Sequence, residues 1–248
     1  MKSKILIIVE GAKTDLRLMQ HLLEVYNIND SHDIVSYDTN IYTLYQQMFK
    51  DKDPESFDLL QLLKERENNI EKKKIFDNRY SDILLIFDYD PQDPLYSQEK
   101  ITEMTEYFRE SSDMGKLYLN YPMVEAYYHM KSIPDELYNT YKASFYELKQ
   151  GTYKQRVNRE NRNHDYTKFA INKEECDIVI KQNIEKAYKI INKDCTYKEI
   201  PENVEILNKQ LEEMQINHSV FVLCTCVFYI AEYNPKLITN DFTLGESI

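Results

Sequence analysis

Three acidic residues stand directly after apolar runs of the sequence. Glu10 follows the run Lys4–Val9, and Asp88 and Asp90 follow the run Ile83–Phe87. Continuous runs of this kind are typical of strands that are buried on both faces of a parallel sheet. The carboxyl ends of parallel strands open onto the crevice where ligands bind. We therefore expect the three carboxylates to share one edge of a sheet.

Two further acids are candidates for the same edge. A short strand is predicted over Lys116–Asn120, and Tyr121-Pro122 is predicted to open a helix whose first turn carries Glu125. Asp93 lies in the loop after Asp90, where two prolines forbid a helix. An acid in a first helical turn and an Asp before proline are also common without any ligand. For Glu125 and Asp93, metal binding and a purely structural role therefore both remain open.

Carboxylates that are drawn together repel one another. At roughly 5 Å and an effective dielectric constant near 20, each pair of like charges costs about 3 kcal/mol. A bound cation removes that cost, and hard oxygen ligands without His or Cys favour Mg²⁺, with Mn²⁺ as a substitute, over zinc. Such a metal can orient a phosphodiester and activate water. The acids therefore predict a metal site suited to phosphate chemistry.

The elements around these acids alternate between strand and helix. This alternation predicts an α/β fold over residues 1–131, a doubly wound (Rossmann-like) parallel sheet. A further strand is predicted over His32–Tyr37, and Gly115 is predicted to mark the end of the last helix before the strand at Lys116. Helices are predicted over four segments: Thr14–Tyr26, Ile41–Phe49, Ser56–Ile70 and Glu99–Glu110.

Residues 132–248 are predicted to form a mainly α-helical extension. The helical patterns there cover Lys173–Asn192, Val204–Gln215 and Ser219–Tyr233. With 42% apolar and 29% charged residues, and only 4 Gly and 7 Pro, the chain is expected to fold and to favour helices. The apolar runs are too short to span a bilayer, and the start lacks the features of a secretory signal, which predicts a cytoplasmic protein without a membrane segment.

The net charge of −11 opposes nonspecific binding to nucleic acid. The segment 149–168 is basic although the chain as a whole is acidic. It carries six Lys or Arg against two acids, interleaved with Tyr153 and Tyr166. Its residues could grip phosphates and stack on bases, or it could be a surface loop or a dock for an acidic partner. The candidate nucleic-acid contacts are Lys13, which lies near a helix start, and Lys154, Arg156, Arg159 and Arg162.

The four cysteines form no CxxC pair, so we expect buried thiols rather than a zinc site. His129 lies about one turn beyond Glu125 and could touch the metal site, but a partly buried structural role is the expectation. The sequence contains no G-x-x-x-x-G-K-[ST] motif, so any use of ATP is expected on another chain.

Two motifs resemble those of Toprim domains. The run Val9-Glu10-Gly11-Ala12-Lys13-Thr14-Asp15 resembles the Toprim glutamate motif, and Phe87-Asp88-Tyr89-Asp90 resembles the Asp-x-Asp motif. Together with Asn120-Tyr-Pro-Met-Val-Glu125, they are most similar to the RloB-like and AbiL-type small Toprim proteins of bacterial phage defence. They also resemble the Toprim effectors of PARIS-type and OLD-type systems. The resemblance covers residues 4–131.

The resemblance implies metal-dependent cleavage of DNA or RNA by a nuclease effector of an antiphage system, controlled by a partner ATPase of the ABC or OLD kind. Glu10 would be a metal ligand or general base, and Asp88, Asp90 and Glu125 would be metal ligands. Asp93 departs by one residue from the commonest spacing of the family's third acid. A homodimer is a further expectation.

Two alternatives stay open. The chain could be a Toprim-fold binding or sensor subunit of an ATPase complex without nuclease activity, since its 21 tyrosines suit an interaction surface. It could also be a phosphatase with Asp88 as the nucleophile and Asp90 as the acid, although that motif usually follows the first strand.

Overall fold

The computed structural model describes residues 4–49, 54, 58–110, 115–197 and 199–238. Within these residues five strands form one sheet: β1 (Lys4–Val9), β2 (His32–Ser36), β3 (Tyr80–Asp88), β4 (Lys116–Tyr121) and β7 (Leu223–Cys224). Their order in the sheet is β2-β1-β3-β4-β7. The pairings among β2, β1, β3 and β4 are parallel, and β7 is antiparallel to β4. The predicted α/β class with a mainly parallel sheet is confirmed.

The central strands form because their side chains are apolar on both faces. Leu6–Val9 of β1 and Leu84–Phe87 of β3 are buried in the core, as expected for strands covered on both sides. Val9 pairs with Ile86, and Asp88 pairs with Asn120 of β4. The strands therefore end at the same edge of the sheet.

Helices alternate with the strands as predicted in the first half of the chain. Asn40, Asp58 and Ser97 each accept a backbone hydrogen bond at the start of a helix, which satisfies amide groups that the helix leaves unpaired. The helices of this half are α1 (Thr14–Val25), α2 (Ile41–Met48), α3 (Leu59–Arg66), α4 (Ile70–Lys73) and α5 (Gln98–Tyr107). The helix predicted over Ser56–Ile70 is α3 and the start of α4, and its residues 56 and 57 lie outside the described residues.

The second half of the chain is largely helical. It contains α6 (Phe145–Lys149), α7 (Tyr153–Glu160), α8 (Lys173–Ile190), α9 (Asn203–Asn217) and α10 (Phe228–Tyr233). It also contains β5 (Lys142–Ser144), which pairs with β6 (Ser219–Phe221) in a small antiparallel sheet.

The helix predicted over Ser219–Tyr233 is wrong, because this segment forms β6, β7 and only then α10. A short apolar run does not distinguish a buried strand from a buried helix by its period, and pairing of β7 with β4 decides the outcome. The boundary at residue 131 stays a prediction, but the main sheet takes strands from both sides of it.

Two predictions at helix ends are also wrong. The residues after Pro122 form a 3₁₀ turn over Val124–Tyr128 rather than an α-helix. Helix α5 ends at Tyr107, well before Gly115. Gly115 instead precedes β4 with φ +99°, and a Cβ there would lie 2.6 Å from Leu85 Cδ1. The positive φ favours glycine at this position, and a Cβ would also displace the Leu85 side chain of β3.

No helix in the described part of the chain has the length and apolar composition needed to cross a membrane.

Candidate metal centre

Glu10, Asp88 and Asp90 converge at the carboxyl edge of the parallel strands. One oxygen from each carboxylate lies within 4.8 Å of the other two, and this is the cluster of potential metal ligands found among the described residues. Glu10 is held by continued strand pairing, since its N–H donates to the Ile86 carbonyl at 2.9 Å. Its Oε2 accepts a hydrogen bond from the Asp88 N–H at 3.1 Å. The backbones of β1 and β3 thus place the first two acids side by side.

The loops that follow β3 and β4 orient the two aspartates. Asp88 Oδ1 accepts a hydrogen bond from the Val124 N–H at 2.8 Å. The Asp90 N–H donates to the Pro122 carbonyl at 3.0 Å, and Asp90 adopts φ +37°, a conformation that Asp tolerates better than most residues. Gln92 Nε2 donates to Asp90 Oδ1 at 2.9 Å. Hydrogen bonds from the chain therefore fix both carboxylates, and in each case the accepting atom is Oδ1.

Two more buried acids, Asp15 and Glu125, interact electrostatically with this cluster. Asp15 Oδ1 and Glu125 Oε2 are buried and have no hydrogen-bond partner among the described residues. A Cβ on Gly11 would lie 2.7 Å from Asp15 Oδ2, so glycine makes room for this carboxylate. Unpartnered buried carboxylate oxygens are costly, and a bound cation is one way to satisfy them.

The pKa values of these acids are raised. Burial, followed by the charge of Asp90, raises the pKa of Glu10 to about 8. Burial also raises the pKa values of Asp15 and Asp90 to about 6. Burial and the neighbouring charge of Glu10 raise the pKa of Asp88 well above its usual range. The fold thus gathers more carboxylates than it can hold ionised without a cation.

Lys154 of α7 supplies positive charge at this site. Its Nζ lies 3.0 Å from Glu125 Oε1, while its side chain remains 57% exposed. The Lys154 charge opposes the rise in the pKa values of Glu10, Asp15 and Asp90. One ammonium thus offsets part of the repulsion among the carboxylates.

No family model, no curated protein and no solved structure matches the chain.

The structure brings Glu10, Asp88 and Asp90 together, as expected from their positions after the strands, and places the buried Asp15 beside them. Asp15 was not predicted as a site residue, although it closes the Glu-Gly-x-Lys-Thr-Asp run. Asp93 is used differently, since its Oδ2 accepts from Asn40 Nδ2 at 2.7 Å and its Oδ1 accepts from the Leu95 N–H at 2.7 Å. Within the described residues it lies outside the compact triad, and its role as a ligand stays a prediction.

The basic residues of the segment 149–168 differ in what they contact. Arg156 donates to the Lys142 carbonyl at 2.7 Å and pairs with Glu147, and Arg162 pairs with Glu175 at 2.7 Å. Arg159 is 70% exposed and lies 3.6 Å from Glu160. Lys13 is exposed at the start of α1. Their contacts with nucleic acid stay predictions, and Lys154 is the one that lies at the acidic site.

His129 is held inside the protein by its neighbours. Its Nδ1 lies 3.2 Å from Tyr153 Oη, and its Nε2 lies 3.3 Å from Glu160 Oε2. Burial, followed by the charge of Arg156, lowers its pKa to about 4. Both ring nitrogens are engaged away from the triad, in keeping with the structural role expected for this residue. Tyr153 is likewise buried.

Proposed function

We propose that this protein is a Mg²⁺-dependent nuclease of Toprim-like fold that cleaves phosphodiester bonds in nucleic acid, with Mn²⁺ as a substitute. The observation that carries the proposal is the convergence of Glu10, Asp88 and Asp90 within 4.8 Å at the carboxyl edge of a parallel sheet. Their donor atoms are all carboxylate oxygens, the ligands that Mg²⁺ and Mn²⁺ prefer. The order strand, Glu, helix followed by strand, Asp-x-Asp also agrees with the Toprim resemblance.

The residues of the site have different roles in the proposed reaction. Glu10, Asp88 and Asp90 would hold the metal, and Asp15 and Glu125 offer the unpartnered oxygens that could complete its surroundings. A bound divalent cation supplies charge neutralisation and a water of lowered pKa. Lys154 is placed to contact a phosphate oxygen. Glu10 Oε2 accepts a hydrogen bond from the Asp88 N–H, and the carboxylate would act as a metal ligand or as a general base toward water.

The partner and the biological setting follow from the resemblance alone. We propose a role as the effector of an antiphage system under the control of a partner ATPase. Co-expression of the chain with an ATPase encoded beside it, followed by purification on a tag carried by one partner, tests this part separately. A nuclease that remains uncontrolled by any such ATPase would contradict it.

The binding-subunit alternative loses its main support. Many tyrosines serve the core rather than the surface, because several are almost completely buried: Tyr42, Tyr89, Tyr118, Tyr121, Tyr127, Tyr138 and Tyr153. A count of 21 tyrosines therefore does not indicate an interaction surface in this fold.

The proposal is tested by cleavage of end-labelled DNA and RNA, single-stranded and duplex, with Mg²⁺, Mn²⁺ or EDTA. We expect cleavage with either metal, none in EDTA, and a loss of at least about 100-fold in Glu10→Gln, since even residues that only orient metal ligands contribute about 10–100-fold. Glu202→Gln is a matched control, because Glu202 is exposed and pairs with Arg109 away from the acids. Cleavage that survives in Glu10→Gln at the wild-type rate would contradict the proposal.

A further inference from the structure

A cavity of about 270 Å³ lies between α1 and aromatic residues from two places, the turn after Glu125 and the end of the basic segment. One wall is a face of α1 that includes Arg17 and Glu24, and the other includes Tyr128, Tyr166 and Phe169. The nuclease site described above uses none of these residues. The cavity is slightly smaller than pockets for drug-sized ligands, which span about 300–1,000 Å³, so it suits a single ring system.

The cavity adjoins the acidic site through both of its walls. On α1, Arg17 lies two residues beyond Asp15, and in the 3₁₀ turn Tyr128 lies three residues beyond Glu125. The turn and α1 pack against each other. Burial raises the pKa of Tyr166, and the charge of Glu125 raises it further, which places this phenol within electrostatic range of the site.

The second wall is an aromatic stack. The rings of Tyr128 and Tyr166 are nearly parallel, with centroids 4.2 Å apart and planes 9° apart. Phe169 packs against Tyr128 at 5.8 Å with its plane at 66°. Tyr166 Oη is buried and has no hydrogen-bond partner among the described residues. The stack therefore offers a flat aromatic surface, and the buried hydroxyl of Tyr166 is not part of it.

The charges of the cavity favour a base over a phosphate. Arg17 is exposed on α1 and lines the cavity together with Tyr128, and its charge opposes the rise that burial causes in the pKa of Tyr128. Glu24 is exposed on the same helix and supplies the opposite charge. A single guanidinium next to a carboxylate is not a phosphate-binding site. Aromatic rings, a guanidinium plane and a hydrogen-bonding carboxylate are instead the groups that bind unpaired bases in proteins.

We propose that this cavity receives one unpaired base of a single-stranded nucleic acid while a neighbouring phosphate lies at the acidic edge. The inference rests on the proposed nuclease function, because it assigns that site a single-stranded substrate or a substrate with a splayed base. Tyr166 supplies the stacking surface, Arg17 covers the base from α1, and Glu24 accepts hydrogen bonds from its edge.

The test measures binding of fluorescently labelled single-stranded DNA and RNA decamers in Ca²⁺ by anisotropy. Stacking of a base on an aromatic residue strengthens binding by about 5- to 150-fold, so we expect a loss in this range for Tyr166→Ala. Tyr166→Phe keeps the ring and should bind within about threefold of the wild type. Arg17→Ala, at an exposed position, should also weaken binding. Tyr146→Ala is the control, because Tyr146 is 76% exposed on α6 outside the cavity.

Decamers with one abasic position each provide the matching change in the ligand. In the wild type we expect one abasic position, the one whose base would occupy the cavity, to weaken binding. The loss should equal the loss that Tyr166→Ala causes with the intact decamer. In Tyr166→Ala the same abasic position should have almost no further effect, since the two changes remove one contact. A duplex of the same sequence should bind more weakly, because its bases are already stacked and paired.

The outcomes separate this inference from the function on which it rests. Base-dependent binding that is lost in Tyr166→Ala, without cleavage in Mg²⁺, would support the cavity and contradict the nuclease. Cleavage that needs Glu10, with equal binding of every abasic decamer, would support the nuclease and overturn the cavity. Equal losses in Tyr166→Phe and Tyr166→Ala would also overturn it, because the ring would not be the binding group.

Discussion

Buried carboxylates occur in two regions of the molecule, and their surroundings differ. In the helical half, Asp177 accepts hydrogen bonds from Tyr26 Oη and Lys173 Nζ, each at 2.7 Å. Glu213 accepts from Lys142 Nζ at 2.7 Å and Asn217 Nδ2 at 2.9 Å, and also from Ser219. At the acidic edge, by contrast, Asp15 and Glu125 each keep a buried oxygen that no described group satisfies.

The pKa values follow this difference. Burial alone would raise the pKa of Glu213, but the hydrogen bonds from Lys142 and Ser219 outweigh it and leave the pKa below its ordinary value. At the acidic edge burial and like charge act together, and the pKa values of Glu10 and Asp90 rise. Burial is thus common to both regions, and only the supply of partners separates a structural carboxylate from a candidate ligand.

The largest effect is expected for Asp88→Asn. The amide oxygen can still accept the hydrogen bond from the Val124 N–H, but the charge is lost. Because Asp88 lies at the centre of the acidic edge, we expect the affinity for Mn²⁺ to fall by at least about 100-fold. Isothermal titration calorimetry measures this, with Glu202→Gln as a control that should bind like the wild type. If Asp88→Asn bound Mn²⁺ as tightly as the wild type, the acidic edge would not differ from the helical half as a metal site.

Metal should stabilise the acidic edge in a pH-dependent way. Folding raises the pKa of Glu10 to about 8 and those of Asp15 and Asp90 to about 6, so the folded protein holds protons that the unfolded chain releases. Without metal, this contribution to stability is complete below about pH 4 and is lost as the pH rises toward 8. Binding of Mg²⁺ displaces these protons and should be tighter at higher pH.

Thermal melts in EDTA and in Mg²⁺ between pH 5.5 and 8.5 measure this effect. At 100 times the dissociation constant, a ligand stabilises the folded state by about 2.7 kcal/mol, which corresponds to roughly 5–10 °C for a chain of this size. We expect the gain from Mg²⁺ to grow with pH. A gain that is the same at every pH would contradict the raised pKa values of the site.

A smaller effect is expected at Glu213, the carboxylate of the helical half that has hydrogen-bond partners. Glu213→Gln weakens the charge-assisted hydrogen bond from Lys142, which is expected to cost about 1–3 kcal/mol of unfolding free energy. Because the pKa of Glu213 is lowered, its contribution is present above the ordinary value near 4.5 and is lost as the pH falls further. Urea unfolding at pH 7 measures the loss. Metal binding should not change, and a change in it would show that the regions are coupled.

The smallest effect is expected for Lys154→Met. The ammonium offsets part of the repulsion around Glu125, so its removal should raise the pKa values of Glu10 and Asp90 further. The pH midpoint of Mn²⁺ binding should move upward, by less than one unit, because this side chain is largely exposed to solvent. Lys154→Arg keeps the charge and should leave the midpoint in place. A downward shift in Lys154→Met would contradict the electrostatic role.

Much of the acidic edge could be predicted from the sequence. Continuous runs of apolar residues mark β1 and β3 because both faces of a central parallel strand are buried. Acids at the ends of such strands must then meet at one edge, which is how Glu10, Asp88 and Asp90 could be named in advance. The same reasoning did not reach Asp15, because a buried acid on a helix has no periodic signal and depends on Gly11 for its space.

The sequence by itself determined the α/β class, the parallel central strands and the edge at which the acids gather, since these depend on local patterns of apolar residues. Only the tertiary structure decided that Leu223–Cys224 would join the sheet rather than a helix, because its pairing partner lies about 100 residues away in β4. It also decided which buried acids obtain partners, as Glu213 does, and which remain unsatisfied, as Glu125 does in part. Lys142 reaches Glu213, and Tyr26 reaches Asp177, from distant segments of the chain, and no local pattern encodes these two contacts.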